Sequence, residues 1–355
     1  MQLNRIRPYI CLDDTPNMKK QLSSILKYAF FFGLGLFLVW WSLRQIPANK
    51  WDEFIKTLLE AKYWLMIPVF AILSLSHIIR ALRWRILMEP LGYKPSIPNT
   101  FFAVMIGYLA NLAIPRLGEV LKCTLLAKYE KVPAEKLVGT IVAERAIDVF
   151  SLGIVFIITL LTQTDLIASY GIDLFNQLFE NNAGHFSIQK ISIVLASIVI
   201  LIVVLKVWSK KNGHLPFVVA AKKIIGGIWE GIASIRYLQQ KGLFIAYSVA
   251  IWLLYIGGTW VGLSATVGTS GLGFSAALAA LAFGSIGMIV TPGGIGAYAF
   301  FIAKIVEKMG VPFEIGFANG TLQWFAQFII VLIVGSICLL ILPIYNKNKN
   351  SHESN

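Results

Sequence analysis

Two stretches of this chain contain no charged residue, and each is longer than a membrane span. They run from Gly242 to Ala303 and from Ile315 to Asn346. About 20 consecutive apolar residues are enough to cross a bilayer as a helix. Across all 355 residues, 57% are hydrophobic and only 14% are charged, whereas soluble domains carry roughly 25% charged residues. The sequence therefore predicts an all-α, polytopic integral membrane protein.

The formal net charge of +13 does not indicate a nucleic-acid-binding protein in this context. Most Lys and Arg residues flank the apolar segments, which is typical of positive-inside topology and of contact with anionic lipid headgroups. Cys11, Cys123 and Cys338 are scattered and match neither a metal site nor a disulfide framework. The sequence contains no nucleophile–base arrangement and no phosphate-binding loop. We therefore expect no cofactor, no metal ion, no nucleic-acid partner and no enzymatic activity.

The positions of Lys and Arg also predict the topology. The segment Val149–Gln189 contains neither residue and is expected outside. The segment Lys206–Lys241 carries seven Lys and Arg residues against one Glu and is expected in the cytoplasm. We predict, in chain order, a basic cytoplasmic tail (1–23), a first membrane repeat (24–163), an external loop (164–187), a second membrane repeat (188–342) and a cytoplasmic tail (343–355). Both termini would then face the cytoplasm at the plasma (inner) membrane.

One stretch places charged residues inside otherwise apolar sequence. It holds, in order, Arg116, Glu119, Lys122, Glu144, Arg145 and Asp148. Charges at membrane depth are costly, so a substrate-binding site is the first hypothesis for this set. Glu144 and Asp148 share one helix face, and their partners could be Arg116, Lys122 or each other through a shared proton. A buried ion-pair lattice that only fixes helix register explains the pattern equally well.

Pro115 interrupts the apolar run that leads into this stretch. Proline lacks an N–H and disfavours helix just before it, so we predict a helix break at Pro115 and Gly118. The following helix, Leu117–Tyr129, would be about 20 Å long, which favours a re-entrant hairpin over two full crossings. Its N-terminus, with Arg116 beside it, would suit a phosphate or a carboxylate.

The second half of the chain repeats this pattern. Pro115 and Pro292 each begin a break, which is followed by a short helix, a Val-Pro-x-Glu turn and a span. The second break comprises Pro292, Gly293, Gly294 and Gly296. Gln323 and Gln327 occupy the places that the two intramembrane carboxylates hold in the first half. Each unit would have three spans and a broken hairpin, so the two repeats would be inverted, which is a transporter architecture.

Three arginines, Arg80, Arg83 and Arg85, end the span predicted at 63–82. Arginines near a helix end commonly extend their charged groups to the membrane surface. We interpret these three residues as anchors of that kind, with a direct contact to substrate as the alternative.

Three motifs carry a resemblance to a known family. They are N-x3-P-R-L-G-E starting at Asn111, A-E-R-x-x-D ending at Asp148 and P-G-G-I-G-A starting at Pro292. Together they resemble the lysylphosphatidylglycerol synthase/flippase transmembrane family, whose flippase-like members include the membrane half of the multiple peptide resistance factor. The similarity covers most of 24–342. It implies lipid translocation in the inner membrane, with the polar groups lying at Arg116, Glu119, Glu144, Arg145 and Asp148.

The resemblance does not imply synthase activity, because in that factor aminoacyl transfer belongs to a separate soluble domain. An acidic residue commonly follows P-G-G-x-G in the family, whereas Ala297, Tyr298 and Ala299 stand here. We therefore carry over neither the coupling chemistry nor the identity of the lipid.

These observations predict a lipid flippase or a transporter of a lipid-linked anionic substrate. Its partners would be membrane lipids with an anionic phospholipid or polyprenyl-phosphate headgroup, and an envelope-lipid synthesis enzyme could associate with it. One alternative is a proton-coupled permease for a small anion, which would use the same site without a lateral opening for lipid. Another is a non-catalytic accessory subunit of an envelope-lipid enzyme.

Overall fold

A computed structural model describes residues 36–114, 116–163 and 235–353, together with Gly33. Within these ranges the regular structure is entirely helical, which confirms the predicted all-α class for this part of the chain. The predicted basic tail (1–23), the external loop (164–187) and the segment 188–234 lie outside the described residues. The predicted domain boundaries therefore stay predictions.

Nine α-helices lie in the described ranges from Trp51 onward. They are α1 (Trp51–Leu59), α2 (Met66–Met88), α3 (Ile97–Ala113), α4 (Leu117–Glu130), α5 (Ala134–Thr162), α6 (Lys241–Leu263), α7 (Phe274–Val290), α8 (Ala297–Glu307) and α9 (Phe313–Glu353). A helical segment at 36–44 precedes α1. Helix α9 continues past Pro343 to Glu353, so it extends into the segment that we predicted as a cytoplasmic tail.

Three of the described helical segments are long and apolar enough to cross a membrane. They are Tyr63–Leu91, Lys241–Leu263 and Phe313–Lys347, which contain α2, α6 and most of α9. Helices α3 and α7 are apolar but have 17 residues each, or about 26 Å. Helices α4 and α8 have only 14 and 11 residues. The prediction of a membrane protein with several spans is confirmed at this level.

Both predicted helix breaks are present in the structure. Helix α3 ends at Ala113 and α4 begins at Leu117, with Arg116 between them in a left-handed conformation at φ 71°. Between α7 and α8 the chain forms a short 3-10 turn in which Gly293 and Gly294 have φ values of 63° and 74°. Residues with a Cβ atom rarely adopt such angles. Glycine is therefore strongly favoured where the second break turns.

Each break joins two helices that pack side by side in opposite directions. In the first pair, Gly118 of α4 lies directly against Gly107 of α3, and no side chain would fit between them. The Gly118 N–H donates to Asn111 Oδ1 at 2.7 Å. In the second pair, Gly287 of α7 lies against the backbone at Ala297. The turn Pro292–Gly294 also contacts α3, so the two breaks lie near each other.

Helices α2 and α6 form an antiparallel pair along their whole length. At one end Gln240 Nε2 donates to Glu89 Oε1 at 2.7 Å. At the other end the Lys62 N–H donates to the Ala265 carbonyl at 2.7 Å. Helix α2 also contacts α4 and α5 around the fully buried Trp84. This packing turns one face of α2 toward α5, which positions the site.

Candidate functional site

Two arginines of α2 face two carboxylates of α5. Arg80 and Arg83 are three residues apart, and Glu144 and Asp148 are four apart, so each pair occupies one face of its helix. Arg80 Nη1 lies 2.9 Å from Asp148 Oδ2 and 3.4 Å from Glu144 Oε1. Arg83 Nη2 lies 2.6 Å from Asp148 Oδ1 and 3.8 Å from Glu144 Oε1. The two helices are therefore joined by a four-membered ion network.

A third cation reaches the network from α4. Lys122 Nζ lies 3.0 Å from Glu144 Oε2 and 4.3 Å from the centroid of the Trp84 ring. That ring is itself fixed, because its Nε1–H donates to Thr140 Oγ1 at 2.9 Å. Lys122 of α4, the short helix after the first break, is therefore buried in the core. Glu144 is surrounded by three cations.

Helix α6 holds the outer sides of both guanidinium groups. Arg80 Nη2 donates to the Tyr255 hydroxyl at 2.9 Å, and Arg83 Nη1 donates to Ser248 Oγ at 3.5 Å. The Arg80 guanidinium also lies 5.9 Å from the centroid of the Tyr108 ring. Each arginine is therefore held between α5 and α6, with one terminal guanidinium nitrogen (Nη) bonded to each helix.

The network is buried and carries an excess of positive charge. The side chains of Arg83, Lys122 and Glu144 are 0%, 3% and 1% exposed, whereas Asp148 is 16% exposed. Three cations against two carboxylates leave one net positive charge among these five residues, which we call the charge cluster: Arg80, Arg83, Lys122, Glu144 and Asp148. Removing one partner from a buried ion pair costs about 3–5 kcal/mol. An anion from outside the protein would complete the balance.

The interpretation of Arg80 and Arg83 as surface anchors is wrong. Both side chains are buried in ion pairs, whereas Arg85 is half-buried. The spacing of three residues already placed the first two on one helix face, matched to a pair of carboxylates elsewhere, and that signal could have identified them. Tyr255 and Ser248 gave no comparable signal, because they become partners only through the packing of α6.

Of the two cations predicted as partners of the carboxylates, the structure places one in contact with them and the other away from them. Lys122 is such a partner, but Arg116 is exposed at the break, and the cations that hold Glu144 and Asp148 are those of the charge cluster. Cations lie between the two carboxylates, so a shared proton is not required. The role of Arg116 in binding substrate stays a prediction.

Two further predicted residues form a separate ion pair near the break. Arg145 Nη2 lies 3.0 Å from Glu119 Oε1, and both side chains are partly exposed. The N-terminus of α4 is less available to an anion than we predicted. Its Leu117 N–H donates to the Ile114 carbonyl, and its Gly118 N–H donates to Asn111. The first two N–H groups of α4 thus already have acceptors inside the protein.

The second half of the chain places a neutral network at the corresponding predicted residues. Gln323 is buried, and its Nε2 donates to Asn319 Oδ1 at 2.7 Å. Asn319 Nδ2 donates in turn to the Gly262 carbonyl at 2.9 Å. The Tyr298 hydroxyl lies 3.5 Å from Gln323 Oε1, and Gln327 is half-buried on the same helix. This network satisfies its own polar groups without charge.

The second break is held by a direct contact with α9. Trp324 Nε1 donates to the Gly293 carbonyl at 2.7 Å. This contact fixes the turn that Pro292, Gly294 and Gly296 were predicted to form. Within the described residues, no group of three or more His, Cys, Asp or Glu is arranged to hold a metal ion.

A family match covers most of the chain. The family described as the lysylphosphatidylglycerol synthase TM region matches residues 24–335. The chain belongs to this family. The match includes both breaks and every residue of the charge cluster. The predicted family resemblance is therefore confirmed, and the description of the family refers to a transmembrane region.

The chain also resembles one curated protein over a short part of its length. The UPF0104 membrane protein MJ1595 of Methanocaldococcus jannaschii is 30% identical over 100 residues. These residues make up 27% of this chain and 30% of that protein, so the matched part spans under a third of the relative's length. No solved structure matches the chain. Membership of the family and the three candidate spans agree that this is a membrane protein.

Proposed function

We propose that this member of the lysylphosphatidylglycerol synthase TM-region family is an inner-membrane lipid flippase or a transporter of a lipid-linked anionic substrate. The observation that carries the proposal is the charge cluster, which leaves one net positive charge buried among membrane-associated helices. Intramembrane charges of this kind commonly mark substrate pathways. The substrate that would balance the charge is an anionic phospholipid or a polyprenyl-phosphate headgroup.

The chemistry of the cations favours a phosphate-bearing headgroup. Arginine presents forked, permanently charged donors that match the oxygen geometry of a phosphate, and such charge-assisted bonds are stronger than neutral ones. Arg80 and Arg83 lie side by side with donors on the same side toward α5. Two arginines and one lysine therefore offer several donors to one anionic group.

The order of helices supports the proposed inverted repeat. Helices α2 and α6 both have 23 residues, α3 and α7 both have 17, and a short helix follows each break. Helices α2 and α6 also run antiparallel, as two inverted copies of one element would. In each half, a side chain of the short helix after the break contacts the polar residue at the corresponding position of the following long helix. Lys122 of α4 contacts Glu144, and Tyr298 of α8 contacts Gln323.

Helix lengths support the proposed re-entrant hairpins. At 11 residues, α8 is about 17 Å long, whereas the apolar layer of a bilayer is about 30 Å thick. The turn Pro292–Gly294 contacts α3, so the two breaks lie near each other. Broken helices that face each other from two inverted repeats form the substrate sites of many transporters.

Lipid movement across vesicle membranes tests the proposal. Purified protein would be reconstituted with fluorescently labelled phosphatidylglycerol or labelled polyprenyl phosphate, and dithionite would quench the label exposed outside. We expect protein-containing vesicles to lose the label of both leaflets and protein-free vesicles to lose only the outer label. Uptake of inorganic phosphate into the same vesicles without lipid movement would instead support a small-anion permease.

A pair of variants ties the activity to the charge cluster. Arg80→Gln combined with Arg83→Gln should abolish flipping, while Glu307→Gln, which alters an exposed ion pair with Lys304, should not change it. Thermal unfolding of each variant in detergent would show whether it is folded. A folded double variant that flips lipid at the wild-type rate would remove the basis of the proposal and leave the charge cluster as a structural lattice.

A further inference from the structure

We infer that Asp148 is a movable internal counter-ion, which holds Arg80 and Arg83 in the resting protein and gives way to the phosphate of the incoming lipid. This inference rests on the proposed function. It assigns the headgroup site to Arg80 and Arg83, and it gives the carboxylate a role in loading and release.

The Asp148 carboxylate occupies the place that a phosphate would take. Its Oδ2 lies 2.9 Å from Arg80 Nη1, and its Oδ1 lies 2.6 Å from Arg83 Nη2. One anion thus bridges two guanidinium groups with a different oxygen on each. A phosphate can make the same two contacts with two of its oxygens.

Both arginines also have contacts that do not involve Asp148. The Tyr255 hydroxyl accepts from Arg80 at 2.9 Å, and Ser248 Oγ accepts from Arg83 at 3.5 Å. The Arg83 guanidinium also lies 6.0 Å from the centroid of the Phe244 ring. These contacts come from α6 and do not involve α5. The cationic pair is therefore preorganised for a second anion.

Each arginine has a donor that Asp148 does not use. The Nε–H groups of Arg80 and Arg83 are buried and have no acceptor among the described residues. A buried donor without a partner is costly. A phosphate carries more oxygens than a carboxylate, so it can supply acceptors that Asp148 cannot. The unpaired donors thus favour exchange of the carboxylate for a phosphate.

Asp148 is the more exposed of the two carboxylates and has fewer cation partners than Glu144. It is 16% exposed, and its ion pairs in the described structure are those to Arg80 and Arg83. Glu144 is 1% exposed and is also held by Lys122 at 3.0 Å. When Asp148 moves away, three cations face only Glu144. The resulting two net positive charges would suit a phosphate monoester dianion or strengthen the hold on a phosphodiester.

Titration of purified protein in detergent tests the exchange. The probe is dihexanoyl-phosphatidylglycerol, with inorganic phosphate titrated in parallel, and the variants are Asp148→Asn, Arg80→Lys and Glu307→Gln. Asp148→Asn removes the competing carboxylate and should raise the affinity for the lipid at least about tenfold, the factor expected for one charge-assisted contact. Arg80→Lys should lower it, because the forked donor is lost. Glu307→Gln changes net charge equally and should leave affinity within about twofold, as an exposed pair contributes little.

Flipping by the same variants completes the test. Asp148→Asn should flip labelled phosphatidylglycerol more slowly than wild type, because no carboxylate displaces the bound headgroup. If wild type flips lipid and Asp148→Asn binds it no more tightly, the exchange is wrong and the proposed function stands. If wild type neither binds nor flips lipid, both are wrong.

Two other outcomes would also overturn the inference. If Asp148→Asn gains affinity for inorganic phosphate but none for the lipid, the site takes free phosphate and the lipid exchange is wrong. If Asp148→Asn does not accumulate as folded protein, Asp148→Ser serves as the second variant without a carboxylate. Failure of both to fold would mean that Asp148 is a fixed structural group.

Discussion

The contact between Lys122 and Glu144 offers a quantitative test of the charge cluster. Lys122→Met leaves Glu144 with only the two arginines, of which Arg80 is nearer at 3.4 Å. Glu144→Gln leaves the buried Lys122 ammonium beside a neutral amide. Because Glu144→Gln leaves three buried cations with Asp148 as their one carboxylate, we expect it to lower the free energy of unfolding by about 3–5 kcal/mol. Lys122→Met leaves two cations against two carboxylates and should lower it less.

The double variant should lose less than the two single variants together. Removing Lys122 and the Glu144 charge at once leaves Arg80, Arg83 and Asp148, which still carry one net positive charge. The net charge of the cluster is then the same as in the native protein. We expect a coupling free energy of about 0.5–3 kcal/mol between the two sites, measured by thermal or denaturant unfolding in detergent.

The pair Lys304–Glu307 provides a matched control. Its N–O distance is also 3.0 Å, but its side chains are 38% and 40% exposed. Exposed pairs of this kind contribute about 0.3–0.5 kcal/mol, so Lys304→Met and Glu307→Gln should be nearly additive. If Lys122 and Glu144 were also additive to within about 0.3 kcal/mol, burial would not couple them, and our account of the cluster would be wrong.

Three further predictions address packing, topology and the break. Gly118→Ala should lower the free energy of unfolding by about 1–3 kcal/mol, because a Cβ atom would collide with α3. Gly139 has open space around it, so Gly139→Ala should not destabilise the protein, and thermal unfolding would compare the two variants. Single cysteines at Asp173 and Lys222, both outside the described ranges, should react with an impermeant reagent from opposite membrane faces, and labelling from one face would refute the inverted repeat. Arg116→Ala should weaken lipid binding by roughly 10- to 150-fold if this exposed residue contacts the headgroup, and a wild-type flipping rate would exclude that contact.

Local properties of the sequence determined the class of the protein and the positions of its breaks. Long uncharged runs predict membrane helices because the cost of burying charge in lipid applies to any fold. Pro115 and the glycines near Pro292 predict helix breaks because proline and glycine act on the backbone at their own positions. The i, i+4 spacing likewise placed Glu144 and Asp148 on one face before any partner was known.

Only the tertiary structure decided which cations hold those carboxylates. Arg80 lies 64 residues from Glu144 and 68 from Asp148 in the chain, and Tyr255 lies 175 residues from Arg80. Such contacts depend on which faces of α2, α5 and α6 pack together, and helix periodicity alone does not specify that rotation. Arg116, nearer to the carboxylates in sequence, remained exposed at the break because the chain turns there. The sequence could identify the charges that need partners, but helix packing determined the pairs.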